Sequence, residues 1–125
     1  AIVSGRSKLA AEYSLKPIIK YFNSDACVFL EDENREYAKP HPYAIEHAMK
    51  VMNAKTAVYA GDSVEDLFMA RRAEKKLGVK IAFVGVYGNS PEPEKTIYKL
   101  KQESVKAIIR TVNQLPNIIN KVNVV

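Results

Sequence analysis

The chain has 125 residues, 47% of them apolar and 26% charged, which are the proportions and length of one soluble globular domain. Nineteen Lys and Arg against fourteen Asp and Glu give a net charge of +5, but the lysines are scattered instead of forming an arginine-rich block, so no nucleic-acid partner is expected. One cysteine, Cys27, excludes an internal disulfide, and no apolar run approaches the ~18 residues of a membrane span or opens the chain as a signal peptide.

In chain order, strand and helix signals alternate. Residues 1–4 (AIVS) form a short apolar run, and RSKLAAEY after them places Leu9, Ala10 and Tyr13 at helical spacing. Pro17 suits the first turn of a second short helix, KPIIKYF. Residues 26–30 (ACVFL) are another strand-like run, and EDENREYAKPHP is a polar connection. From Pro42 onward Tyr43, Ala44, His47, Ala48, Val51 and Met52 give a helical stripe.

Residues 56–60 (TAVYA) predict a strand, and Val64, Leu67, Phe68, Ala70, Ala73 and Leu77 a helix that Gly78 stops. Residues 80–86 (KIAFVGV) predict a strand, 87–94 a turn-rich loop, KTIYKLKQ a short helix, VKAIIR a last strand and VNQLPNIINKV a last helix. Strands of this length alternating with helices imply β-α units. The expected fold is therefore α/β, three-layered and Rossmann-like, with a parallel sheet over residues 1–125 as a single domain. The apolar strands are continuous, not alternating, as burial on both faces requires.

Three stretches fall where an open parallel sheet binds ligands, at or near the carboxyl ends of strands. Ser4 and Gly5 follow a strand and precede a helix, offering a hydroxyl and backbone N–H groups to a phosphate; Ser4 in that position also suits a helix N-cap. Lys39 lies in a loop stiffened by Pro40 and Pro42, where a fixed ammonium would offset phosphoryl charge. Asp62 ends a strand, and Asp66 lies one helical turn on. Mg²⁺ favours one or two such carboxylates together with water and phosphate oxygens. Ser63-Val-Glu-Asp66 also fits a capping box. Arg6 and His41 are placed where they could touch an anion but read first as a solvated first-turn arginine and a loop residue, while His47 and Cys27 read as packing residues.

In that order, AIVS with Ser4, Lys39-Pro40 and GDSVED with Asp62 and Asp66 resemble the second, third and fourth motifs of the haloacid dehalogenase (HAD) superfamily, mostly phosphatases acting through an aspartyl-phosphate. The similarity continues through KIAFVGVYG to VKAIIRTVNQLPNII. The resemblance implies a Mg²⁺-dependent phosphatase for a small phosphorylated metabolite, placed in the cytoplasm. Ser4, Gly5 and Lys39 would bind phosphate, Lys39 would act in catalysis, Asp62 would ligate the metal directly, and Asp66 would ligate it or orient its waters. A phosphomutase of the same superfamily, or a non-catalytic regulatory or assembly module, are the alternative readings.

The superfamily's first motif, Asp-x-Asp, supplies the nucleophile and the general acid/base. Here the aspartates are Asp25, Asp32, Asp62 and Asp66, and no two are separated by a single residue. The resemblance therefore implies the carboxy-terminal part of a core domain, without its central first strand or cap. Such a chain would be inactive alone and would present an open apolar edge. A missing N-terminal segment or a second copy would complete the sheet.

Overall fold

The computed structural model of the chain describes residues 1–32 and 34–122. Its helices and strands run α1 (Lys8–Leu15), α2 (Tyr43–Val51), β1 (Thr56–Gly61), α3 (Val64–Leu77), β2 (Lys80–Val86), α4 (Pro93–Gln102), β3 (Ala107–Ile109) and α5 (Leu115–Ile118), with single 3₁₀ turns between them. The α/β architecture expected from the alternating pattern is present.

The three strands form one parallel sheet in the order β1-β2-β3. β1 runs against β2 from Thr56↔Lys80 to Gly61↔Gly85, and β2 against β3 from Val84↔Ala107 to Val86↔Ile109. Parallel neighbours need long crossovers, and α3 and α4 provide them. Met69, Ala70 and Ala73 of α3 pack with Ile81 of β2 and with Ile45 and Met49 of α2. Removing a side chain the size of Met69 from water contributes roughly 1.5–3 kcal/mol. Gly78 ends α3 with φ 64°, a left-handed conformation that glycine adopts without Cβ strain.

The amino-terminal third is less regular than its composition implies. The strands expected at 1–4 and 26–30 are reduced to one parallel bridge, Val3↔Val28. It is fixed by Ser4 N donating to Val28 O and Val28 N donating to Ile2 O, each at 2.9 Å. A short two-segment pairing has too few ladder bonds to extend by itself. The expected helix KPIIKYF is a single turn, Ile19–Tyr21.

The last strand is confined to Ala107–Ile109, and the expected last helix is split into Val112–Gln114, Leu115–Ile118 and Ile119–Lys121. Pro116 accounts for the first of these breaks, because it lacks an N–H and its ring crowds the preceding turn.

The sheet order leaves β1 at an edge, and among the described residues the Val3–Val28 pair is not part of that sheet. Val3 nevertheless packs against the same core as Ala57 and Tyr59 of β1. Among the described residues, no helix is long and apolar enough to cross a membrane.

Candidate functional site

A cavity of about 300 Å³ opens at the carboxyl end of β1, with Val3 and Ser4, Lys39, and Tyr59 to Asp62 among its lining. Asp66 also lines it, as do Val86, Asn89 and Val112. Ser4, Lys39, Asp62 and Asp66 thus reach one space from three separate stretches of chain. Gly5 is exposed and is not part of the lining.

Asp66 is the hub. It is 1% exposed, and both of its oxygens are engaged. Oδ1 meets the Lys39 ammonium at 2.5 Å and accepts from the Tyr59 hydroxyl at 2.8 Å. Oδ2 accepts from the Ser63 hydroxyl at 2.8 Å and the Ser63 backbone N–H at 3.2 Å. Ser63 Oγ in return accepts from Asp66 N at 3.2 Å, which completes the capping box at the start of α3. Cap and cluster are one arrangement.

Gly61 makes this approach possible. A Cβ at that position would lie 2.6 Å from Asp66 Cβ and 2.9 Å from its Oδ2, so any side chain there would push Asp66 away from the strand. The glycine before Asp62 is therefore explained by close packing of a carboxylate on the backbone.

Burial by itself would raise the Asp66 carboxyl. The Lys39 ammonium outweighs it, with help from Ser63 and Tyr59, and holds the group below its ordinary value. Burial also pushes the Tyr59 phenol upward, and the Asp66 and Asp62 carboxylates push it further, so it remains a protonated donor. Lys39 itself is partly open, with 29% of its side chain exposed.

The two carboxylates expected to share a metal stand in different settings. Asp62 is exposed on the cavity wall and, among the described residues, makes no ion pair. A carboxylate has about four acceptor positions, and four donors already surround Asp66, so direct ligation by Asp66 does not fit this arrangement. No group of three or more His, Cys, Asp or Glu among the described residues is gathered as a metal cluster. What remains is one exposed carboxylate beside a cavity, a donor set that Mg²⁺ accepts when water and phosphate oxygens supply the rest.

Ser4 Oγ accepts from Arg6 N at 3.1 Å and closes a small turn. The N-cap of α1 is Ser7, whose hydroxyl accepts from Ala10 N, so Ser4 is not the cap. The Lys39 loop is tied down by His41 N donating to Ala38 O and by Arg72 donating to Pro40 O. His41 is not in the cavity lining and its Nδ1 accepts from Tyr43 N, and His47 bonds the Asp25 carbonyl at 2.7 Å. Buried Cys27 packs with Ala11 and Phe29.

Tyr59 is the residue that sequence reasoning missed, because an aromatic in a strand reads as core. Alternation along β1 does carry a signal: Tyr59 stands two residues before Gly61 and therefore shares its face. A larger cavity of about 740 Å³ lies between α3, β3 and the carboxy-terminal turns, with Leu67, Phe83 and Ile108 in its walls and none of the expected site residues.

A family model described as haloacid dehalogenase-like hydrolase matches residues 1–74. The match takes in Ser4, Lys39, Asp62 and Asp66, and it ends within α3, short of the extent expected from the resemblance. No curated protein and no solved structure matches the chain.

Proposed function

Because this chain belongs to the haloacid dehalogenase-like hydrolases, we propose that it forms the phosphate- and Mg²⁺-binding part of a phosphatase acting on a small phosphorylated metabolite. The observation that carries this reading is the meeting of Ser4, Lys39 and Asp62 on one cavity at a strand's carboxyl end. The Ser4 hydroxyl, with the exposed backbone of Gly5 nearby, would hold phosphoryl oxygens. The Lys39 ammonium would offset their charge as it grows during transfer. Mg²⁺ on Asp62 would supply further charge neutralisation. Asp66 holds Lys39 in place and does not ligate the metal directly.

The cavity lining lacks an Asp-x-Asp pair, and so does the whole sequence. We infer that the attacking carboxylate arrives on an extended segment that pairs with the open edge of β1, opposite Val3. It would come from an N-terminal part of the protein or from a second chain. Residues 1–125 on their own then bind phosphate and metal weakly and turn nothing over, as one segment of a core domain working in the cytoplasm.

Thermal unfolding with added Mg²⁺ and inorganic phosphate tests this reading. The chain should be stabilised by both ligands together. Asp62→Asn should abolish the Mg²⁺ response and Lys39→Ala the phosphate response. If both variants respond like the parent chain, the site assignment is wrong.

A further inference from the structure

We propose that Tyr59 is a positioning residue of this site: its phenol fixes the Asp66 carboxylate and, through it, sets where the Lys39 ammonium stands. The proposal rests on the reading of Lys39 as the cation that faces phosphate.

The geometry runs through a single oxygen. Tyr59 donates to Asp66 Oδ1, the same atom that meets Lys39, while Ser63 holds Oδ2. The carboxylate is thus clamped at both ends, by α3's own cap and by a side chain from β1. The backbone around Lys39 is tied down, but its ammonium reaches in from a loop on a long flexible stem. Groups carried by strands and helices are held more closely than groups carried by loops. The Tyr59 ring is itself steadied by Phe83 of β2, with ring centres 6.1 Å apart.

Sharing Oδ1 also has an electrostatic consequence. A phenol O–H pointed at this oxygen takes up part of its charge, so the lysine beside it is incompletely neutralised and keeps attraction for an anion in the cavity. The phenol has one proton, and that proton is directed at Asp66. Tyr59 therefore acts through its neighbours and does not donate to the bound anion. Without the phenol oxygen only Ser63 holds the carboxylate beside Lys39, so Oδ1 can shift and the ammonium is placed less closely.

The test uses the full chain and Tyr59→Phe, with inorganic phosphate as the probe in the presence of Mg²⁺. Calorimetric titration should show phosphate affinity about five-fold weaker in the variant, the scale of one hydrogen bond, with Mg²⁺ affinity unchanged. Carbon-13 relaxation at the Lys39 ε-methylene should show a more mobile side chain in Tyr59→Phe, a signature that loss of general stability does not produce. If Lys39→Ala loses phosphate while Tyr59→Phe keeps parent affinity and parent Lys39 order, the Tyr59 proposal is overturned and the cation reading stands. If Lys39→Ala binds phosphate like the parent chain, both fall. Should Tyr59→Phe fail to fold, the parent chain still decides: a protected Tyr59 hydroxyl proton with an Overhauser contact to the Lys39 ε-protons is expected, and its absence overturns the proposal.

Discussion

Lys39 and Asp66 come from a proline-stiffened loop and from the first turn of a helix, and their charged atoms meet at 2.5 Å beside a cavity that both line. The carboxylate is buried and the ammonium partly exposed, so the pair has one side in the protein and one facing the opening. Removing the cation leaves a buried carboxylate supported only by Tyr59 and Ser63. Lys39→Met should therefore lower stability by about 1–3 kcal/mol at neutral pH, measured by urea unfolding. An unchanged midpoint would mean that the pair contributes nothing to the fold.

The close approach of Asp66 to the backbone at Gly61 gives a second expectation. Gly61→Ala places a methyl group where the Asp66 side chain now lies, so the carboxylate must shift and the capping box must loosen. The expected cost is about 1–3 kcal/mol, of the size seen when a well-packed site is overfilled. Measured unfolding of Gly61→Ala should also show a weakened response to phosphate, because Lys39 loses its anchor. A variant as stable and responsive as the parent chain would show that the contact is not tight.

The pH dependence follows from two opposed shifts. The folded Asp66 carboxyl lies below its unfolded value near 3.9, so its contribution to stability is complete above about pH 4 and is lost as pH falls through the folded value. The folded Tyr59 phenol lies above its unfolded value near 10. Its contribution is complete below about pH 10 and declines as pH rises toward the folded value. Urea midpoints across this range should fall at both ends. Asp66→Asn should flatten the acid limb and Tyr59→Phe the alkaline one, and a variant that leaves its limb unchanged would remove that residue from the account.

The middle of the fold was legible because its signals are local and agree with one another. A continuous apolar run, a Ser63–Asp66 cap, a helical stripe and the αL stop at Gly78 each point to the same strand–helix–strand unit. Residues 1–4 and 26–30 have equally apolar runs, yet strands are stabilised by neighbours, and composition does not say how many neighbours a run will find. That Ser4, Lys39 and Asp62 line one cavity could be read from their expected places at strand ends and in a stiffened loop. The engagement of Asp66 on both oxygens could not, since it depends on a phenol from β1 and a lysine from a distant loop arriving at one carboxylate.

The claim that Lys39 and Asp62 serve one bound anion is tested most directly by a crystal structure of the chain with Mg²⁺ and tungstate, a heavy phosphate mimic located by its scattering. The account predicts tungstate within hydrogen-bond reach of the Lys39 ammonium and near Ser4, with the metal on Asp62 and the Tyr59–Asp66 bond intact. Tungstate bound away from this cavity, with Lys39 still paired only to Asp66 and Asp62 facing solvent, would contradict it.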